Sequence, residues 1–226
     1  MFDITFKFPF SWCVCGGSGS GKTTHVLNFL SYKDELMSIS NCKNVIYHYN
    51  QWQPSFDEFR ERNIVTEWNQ GLPTLEDIKL KTSENSESGT LLIIDDFYHM
   101  LNQDIVEMFT VLSHHGNLSV ILLAQSLFGV GNNNFYRAIS LNSTYISVFK
   151  NPRDNQQIAT LSRQLRPSNW RWIVDAYYEA TKRPYSYLFI DNHQKTCEEI
   201  RIRSNILPSE GYPIVWVLMK ELSKRS

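Results

Sequence analysis

Residues 16–24 combine closely spaced glycines with a lysine and two threonines, in a spacing that suits a loop around phosphate groups. Glycine adopts positive φ values at little steric cost, so successive backbone N–H groups can converge on one phosphate. Lys22 would place its charge on the β- and γ-phosphates of a nucleotide, and the Thr23 hydroxyl could bind Mg²⁺. The predicted nucleotide site comprises Gly16, Gly17, Ser18, Gly19, Ser20, Gly21, Lys22, Thr23 and Thr24.

The sequence on either side of this loop supports the same interpretation. Residues 10–15 are predicted to form a short buried strand that leads into the loop. Residues 24–32 carry Val26, Phe29 and Leu30 at helical spacing, and the N-terminal end of such a helix attracts anions. A flexible Gly/Ser linker is the alternative, but it would not require a strand before it and a helix after it.

A pair of carboxylates follows a second predicted strand. Residues 91–94 are four β-prone apolar residues, suited to a strand covered on both faces, and Asp95 and Asp96 come directly after them. Ligands of parallel sheets bind at the carboxyl ends of the strands, so these side chains should face the phosphate loop. Asp95 would hold Mg²⁺, and Asp96 would orient and deprotonate an attacking water. An acidic cap on the next helix is the alternative.

An amide side chain ends a third predicted strand. Residues 118–124 are strongly apolar, and Gln125 follows them. A neutral amide at this point could bridge the γ-phosphate and the attacking water without adding charge. Together, these groups predict ATP hydrolysis, with an extra strand expected between the phosphate-loop strand and the strand that leads to Gln125.

Length and composition indicate one ordinary globular domain. The chain has 226 residues, of which 42% are hydrophobic and 20% charged, and no apolar run is long enough to span a membrane. The N-terminus does not read as a secretory signal. We expect a single domain over residues 1–226, with a nucleotide-binding core at 1–150 and helices and a hairpin at 151–226. Cys13 and Cys15 are predicted to be packed thiols.

Charge is unevenly distributed along the chain. Residues 150–226 contain 13 Lys and Arg against 8 Asp and Glu, whereas the whole chain has a net charge of −1. A basic C-terminal third could face the phosphates of DNA, or it could be an ordinary surface. Arg201 and Arg203 alternate on a predicted strand, which would put both on one face as a phosphate contact or a subunit contact.

The order of the predicted elements indicates an α/β fold. Strands are expected at 44–49, 91–94, 118–124 and 145–149, and a late hairpin at 185–191 and 199–203. Helices are expected at 75–80, 98–115, 155–165 and 168–182, and loops at 81–89 and 129–134. This alternation predicts a mostly parallel sheet with helices on both faces and a small C-terminal β extension.

With these motifs in place, the chain resembles the viral genome-packaging ATPases of the FtsK/HerA superfamily, in the poxvirus-like group that includes Polinton/Maverick, virophage and adomavirus-type elements. The matching stretches cover most of the chain in order: PFSWCVCGGSGSGKTT (9–24), LLIIDDF (91–97), SHHGNLSVILLAQSLF (113–128), YRAISLNSTYISVFKNPRDNQQI (136–158) and RIRSNILP (201–208). The resemblance implies a P-loop NTPase fold of the ASCE, RecA-like type.

The resemblance also implies roles, partners and a location. ATP and Mg²⁺ would be the ligands, Asp96 would activate water, Gln125 would sense the γ-phosphate, and Arg137 would complete a neighbour's site in a ring. Arg153 and Arg163 are further candidates for that role. Many superfamily members have Glu where this chain has Asp96, so the shorter carboxylate departs from the pattern.

The implied partners are double-stranded DNA, a capsid or portal-like component, and further copies of the chain in a homo-oligomeric ring of five or six. The implied location is the nucleus or cytoplasm of an infected host cell, or the virus particle itself.

Three other functions remain open from the sequence. A helicase or DNA transporter of the same superfamily would share the motor chemistry. A nucleotide or small-molecule kinase would need an acceptor pocket and an arginine-rich lid, for which Arg163, Arg166 and Arg171 are candidates. An ATP-gated structural component of a capsid would bind nucleotide but turn it over slowly.

The loop at 129–134 could line a DNA pore, and His114 and His115 are expected to cap or pack at a helix end.

Overall fold

A nine-stranded sheet runs through the described part of the chain, which in this computed structural model comprises residues 3–39, 42–84, 88–97, 100–113, 117–128 and 134–218. The strands are β1 (Ser11–Cys15), β2 (Asn44–Tyr49), β3 (Glu67–Gln70), β4 (Thr90–Asp95), β5 (Leu118–Ala124), β6 (Tyr145–Phe149), β7 (Tyr187–Asp191), β8 (Ile202–Ser204) and β9 (Ile214–Val215). Their spatial order is β3-β2-β4-β5-β1-β6-β7-β8-β9.

Eight α-helices connect or cover these strands in the described residues. They are α1 (Lys22–Ser31), α2 (Lys33–Leu36), α3 (Ser55–Glu61), α4 (Leu75–Glu84), α5 (Gln103–Glu107), α6 (Asn134–Asn142), α7 (Asn155–Leu165) and α8 (Trp170–Ala180). A π-helical segment, Met108–Leu112, continues α5. The pairings from β3 to β6 are parallel and those from β6 to β9 are antiparallel, so the predicted α/β fold with a C-terminal β extension is confirmed.

The central strands are apolar on both faces because helices cover the sheet on both sides. Alternate residues of a strand point to opposite faces, so Cys13 and Cys15 pack on one side while Trp12 and Val14 pack on the other. The first side is covered mainly by α5 to α8, and the second by α1 and α3. The interpretation of Cys13 and Cys15 as packed thiols is confirmed, since both are buried and unbridged.

The strand order corrects one expectation about the sheet. No strand separates β1 from β5: the two pair directly, with Cys15 opposite Ala124. β5 is itself the strand inserted between β1 and β4, and its other edge pairs with β4. The Gln125-bearing strand therefore lies between the phosphate loop and the Asp95-bearing strand.

Several element boundaries match the predicted ones, and others differ for local reasons. The strands at 44–49, 118–124 and 145–149 and the helix at 155–165 have the expected bounds. The prediction that a loop begins at residue 81 is wrong, because α4 continues to Glu84. There Lys81 lies 3.5 Å from Asp77 one turn earlier and also pairs with Glu67 of β3.

The helix expected at 98–115 begins later within the described residues. α5 starts at Gln103, where Asn102 Oδ1 accepts a hydrogen bond of 3.1 Å from the Ile105 N–H, and this N-cap sets the boundary. The short strand β3 was not predicted, since its four residues include only one apolar side chain, Trp68. His114, His115 and the 129–133 part of the predicted loop lie outside the described residues.

The predicted pairing of Arg201 and Arg203 on one exposed face is wrong. Arg203 lies opposite Phe189 in the β7–β8 ladder and is buried, with its guanidinium 2.9 Å from Asp191 Oδ2. Arg201 precedes β8 and donates to Glu198 at 2.6 Å and to the Asp191 carbonyl at 3.0 Å. Arg203 is therefore a structural ion pair and cannot reach DNA or a second subunit.

We expect Asp191→Asn to lower the free energy of unfolding by about 3–5 kcal/mol, because it leaves the Arg203 charge buried without a carboxylate. The matched control is Glu179→Gln, which alters an exposed pair with Lys182 and should cost about 0–1 kcal/mol. Urea titration of the two variants and the parent chain measures both values. Equal, small losses would show that the buried pair does not support the β7–β8 corner.

Candidate nucleotide site

The phosphate loop connects β1 to α1 in a backbone shape that requires glycine at several points. Gly19 and Gly21 have φ values of 72° and 97°, in the left-handed region. At Gly16 a Cβ atom would lie 2.6 Å from Phe149 Cβ, so a side chain there would collide with β6. The loop is thereby held against the sheet, and the first helical turn, which begins after Gly21, has no side-chain cap.

Lys22 lies over this loop. Its ammonium group donates hydrogen bonds to the carbonyls of Gly16 at 2.7 Å and Gly17 at 3.0 Å. Burial lowers the pKa of Lys22, while the nearby carboxylates of Asp95 and Asp96 act in the opposite direction. The charge is therefore positioned inside the loop, where it can reach phosphate oxygens.

Thr23 and Asp95 are in direct contact, as their predicted roles require. The Thr23 hydroxyl donates to Asp95 Oδ2 at 2.9 Å, and the Tyr47 hydroxyl donates to the same oxygen at 2.8 Å. Burial raises the pKa of Asp95, and these two hydrogen bonds oppose the rise. Both bonds go to Oδ2, so neither occupies Oδ1.

Tyr47 was missed in the sequence analysis. It lies on β2, where it pairs with Ile93 of β4, and it is fully buried. A tyrosine on a buried strand signals that its hydroxyl has a polar partner, but the sequence alone does not identify that partner as Asp95.

Asp96 begins the turn that follows β4. Its φ of 66° is left-handed, a conformation that aspartate tolerates better than most residues, and its side chain is exposed. Because the backbone turns at this point, the two adjacent carboxylates have different environments: Asp95 is buried against Thr23 and Asp96 is exposed, although both line the cavity beside the loop.

Gln125 lies at the same edge of the sheet. The N–H of Gly16 donates to the Ala124 carbonyl at 3.1 Å, so the β1–β5 ladder brings the start of the phosphate loop beside Gln125. Asp95 lies opposite Leu123 on the other edge of β5. Gln125 is half-buried and lies between the two strands that carry the loop and the carboxylates.

These side chains line one cavity of about 640 Å³, a size typical of small-ligand sites. Of the predicted site residues, it brings together Ser18, Gly19, Ser20, Gly21, Lys22, Thr23, Thr24, Asp95, Asp96 and Gln125. Gly16 and Gly17 do not line the cavity, but their carbonyls accept hydrogen bonds from Lys22, which does. Residues that the sequence analysis did not assign to the site complete the lining: His25, Asn28, Gln53, Leu123, Tyr185, Leu207 and Glu210.

Arg137 does not join this cluster. It lies exposed on α6, and among the described residues no arginine lines the cavity. Arg153 is also exposed, and the Arg163 guanidinium packs 4.2 Å from the Trp170 ring centroid. None of the three candidates is therefore placed to act on the site of its own chain.

A buried amide that the sequence analysis also missed supports the turn after β5. Gln157 Oε1 accepts hydrogen bonds from the Leu127 N–H and, at 3.2 Å, from the Cys15 thiol. Gln157 is held by α7, whose N-cap Asp154 accepts from the Gln157 N–H at 3.1 Å. The turn next to Gln125 and the start of the phosphate loop are thus joined through one side chain.

Two solved structures share the fold over nearly the whole chain. Both are of the genome packaging NTPase B204 from Sulfolobus turreted icosahedral virus 2. The complex with AMPPCP is 13% identical with a TM-score of 0.55, covering 94% of this chain and 99% of that one. The complex with ATP-gammaS is 12% identical with a TM-score of 0.52, covering 94% and 98%. At this identity the likeness establishes the fold.

The sequence comparison is more specific. No curated protein matches the chain significantly. The family described as poxvirus A32 protein, however, matches residues 3–155. The match contains the phosphate loop, Asp95, Asp96, Gln125 and Arg137, and it confirms the predicted kinship with the poxvirus-like packaging ATPases. The chain belongs to the poxvirus A32 protein family.

Proposed function

We propose that the chain is a viral genome-packaging ATPase, which hydrolyses ATP and uses the energy to move double-stranded DNA into a capsid. One observation carries the ATPase part: Lys22, the Thr23–Asp95 pair, Asp96 and Gln125 line a single cavity at the carboxyl ends of β1, β4 and β5. The packaging part is supported by membership of the poxvirus A32 family.

The Thr23–Asp95 pair fits Mg²⁺. A hydroxyl and a carboxylate are oxygen ligands of the kind that Mg²⁺ prefers, and Thr23 and Asp95 are held together by a 2.9 Å hydrogen bond. When bound with ATP, the metal would supply positive charge to the β- and γ-phosphate oxygens. Tyr47 keeps the Asp95 carboxylate oriented, because it donates to the oxygen that also accepts from Thr23.

The remaining side chains divide the hydrolysis step between them. Lys22 and the loop N–H groups bind the phosphates and stabilise charge that develops on the γ-phosphate. Asp96, exposed on the cavity wall, accepts a proton from the attacking water. Gln125 holds that water against the γ-phosphate through its neutral amide. Asp96 is one methylene shorter than a glutamate, so the attacking water must lie closer to the β4 turn than it would beside a glutamate.

A neighbouring subunit would complete the site. Among the described residues, Lys22 is the one lysine that lines the cavity, and no arginine lines it. Arg137 is exposed on α6, so its side chain is accessible to a neighbouring subunit. We propose a homo-oligomeric ring around DNA in which Arg137 enters the next subunit's site.

The capsid or portal-like component would bind elsewhere on this ring, in the infected cell. No helix in the described residues is long and apolar enough to cross a membrane.

The arginines that a kinase lid would need are engaged elsewhere. Arg163 and Arg171 both pack on the Trp170 ring, and Arg166 pairs with Glu198. None of the three lines the cavity. Hydrolysis is therefore favoured over transfer to a small acceptor.

We expect Lys22→Ala and Asp95→Ala each to lower kcat for ATP hydrolysis at least about 100-fold, because Lys22 supplies positive charge to the reacting phosphates and Asp95 is the proposed carboxylate ligand of Mg²⁺. Phosphate release at saturating ATP and Mg²⁺ measures the effect. Lys182→Ala is the control, because Lys182 is exposed and pairs with Glu179 in the last turn of α8. Normal turnover by a folded Lys22→Ala variant would exclude this cavity as the hydrolytic site.

We expect Arg137→Ala to lower turnover in assembled rings by about 10³-fold or more, as for other arginines supplied in trans. Arg62→Ala, which alters an exposed arginine paired with Glu58, should leave the rate unchanged. Mixing the Arg137→Ala and Lys22→Ala chains should restore part of the activity, since the second chain can lend its arginine to the first. No recovery in mixed rings of verified composition would rule out Arg137 as the trans residue.

Duplex DNA should raise the rate of ATP hydrolysis, and mass measurement with ATP analogue and DNA should show a ring. Stimulation by DNA supports a motor. Dependence on a small acceptor would instead indicate a kinase, and slow turnover regardless of DNA would indicate a structural component. A monomer under every condition would overturn the ring.

A further inference from the structure

The cavity extends to the opposite side of the phosphate loop from Asp95 and Gln125. These two residues follow β4 and β5, which lie on one side of β1 in the sheet. Tyr185 precedes β7, and Glu210 lies between β8 and β9, on the other side. The same cavity of about 640 Å³ contacts all four residues.

The position of these residues determines at which end of the cavity the γ-phosphate lies and at which end the base lies. The inference rests on the proposed function: hydrolysis places the γ-phosphate beside Asp96 and Gln125. Since the β-phosphate lies in the loop, the ribose and base must leave the loop on the remaining side, toward Tyr185 and Glu210. That end of the cavity is therefore where a base would be recognised.

Tyr185 covers the loop at its last glycine. A Cβ atom on Gly21 would lie 3.3 Å from both Cβ and Cδ1 of Tyr185, so the ring rests on the loop backbone. Tyr185 nevertheless is 71% exposed and has a φ of 62°, which is strained for a bulky side chain. Strained, exposed aromatic residues beside a ligand site favour a binding role, and a phenol ring can stack on a base.

One carboxylate oxygen of Glu210, Oε2, is fixed by two hydrogen bonds, whereas Oε1 has no hydrogen-bond partner among the described residues. Its Oε2 accepts hydrogen bonds from the Tyr187 hydroxyl at 2.5 Å and from the Leu207 N–H at 3.0 Å. Its Oε1 lies 3.8 Å from His25 Nδ1, which is beyond hydrogen-bond distance. The carboxylate is thus held in one orientation while Oε1 retains its capacity to accept.

His25 does not neutralise this carboxylate. It is surrounded by the rings of Trp12, Phe149 and Tyr187, and burial lowers its pKa to about 3. The imidazole is therefore uncharged at neutral pH. Its Nε2 has no hydrogen-bond partner among the described residues, although His25 is buried and lines the cavity.

We propose that Tyr185 and Glu210 form a base-binding subsite, in which Tyr185 stacks on adenine and Glu210 Oε1 accepts a hydrogen bond from the 6-amino group. A carboxylate oxygen attracts this amino group and repels the 6-carbonyl oxygen of guanine or hypoxanthine. With the 6-position of the base facing Glu210, the subsite would favour adenine over 6-oxopurine nucleotides.

Binding of a nucleotide series to the unmutated protein tests the assignment first. Kd values should be measured with Mg²⁺ for ATP, purine riboside triphosphate, which lacks the 6-amino group, and inorganic tripolyphosphate. ATP should bind about tenfold or more tightly than purine riboside triphosphate, as expected for a hydrogen bond to a charged group. Equal affinity of the two nucleotides would overturn the role of Glu210 without any mutation.

Variants then assign the effect to each side chain. Glu210→Ala should abolish the preference for ATP over purine riboside triphosphate, and it should leave tripolyphosphate binding unchanged. Tyr185→Ala should weaken both nucleotides at least about fivefold, whereas Tyr185→Phe keeps the stacking ring and the affinity. Tyr212→Ala is the control, because Tyr212 is 93% exposed and does not line the cavity.

The outcomes separate this inference from the proposed function. A purely structural role of Glu210 would weaken both nucleotides equally, leaving their ratio intact, and would contradict the subsite. If Tyr185→Ala and Glu210→Ala change neither nucleotide while tripolyphosphate still competes with ATP, the subsite is wrong but the phosphate site stands. If neither ATP nor tripolyphosphate binds, the proposed ATPase function itself fails.

Discussion

The contact between the Thr23 hydroxyl and the Asp95 carboxylate joins two strands that are not neighbours in the sheet. Thr23 follows β1 through the glycine loop, and Asp95 ends β4, with β5 between them. The two can meet at 2.9 Å only because all three strands are parallel and end at the same edge. The proposed metal ligands Thr23 and Asp95, the proposed water-activating Asp96 and the amide of Gln125 all depend on that common edge.

The two parts of the sheet have different tasks. The parallel strands bring together the groups that we propose for phosphate binding and hydrolysis, and helices on both faces exclude water from the apolar residues of these strands. The antiparallel strands that follow β6 carry no residue of the hydrolytic cluster. They instead position the Tyr185 and Glu210 segments at the far end of the cavity, and the buried Arg203–Asp191 pair joins two of these strands.

Much of the fold could be predicted because apolar runs and glycines are local signals. The strands β2, β5 and β6 are continuous apolar or β-prone stretches with clear ends, and their bounds were predicted correctly. β3 was missed, because Trp68 contributes its packing against Tyr47 and Phe56 only in the folded chain. The strand order was also mispredicted beside β1, since no local pattern states which strand inserts between two others.

The sequence by itself determined the phosphate loop and the carboxylates after β4. Their chemistry depends on residue type and short spacing: glycines that tolerate positive φ, followed by Lys22 and Thr23. Only the tertiary structure decided that Tyr47 orients Asp95, that Gln157 supports the Gln125 turn, and that Glu210 reaches the same cavity. Tyr47 and Asp95 are 48 residues apart in the sequence, and Gln157 and Leu127 are 30 apart. Such distant residues are brought together by the strand order, which is a property of the folded chain.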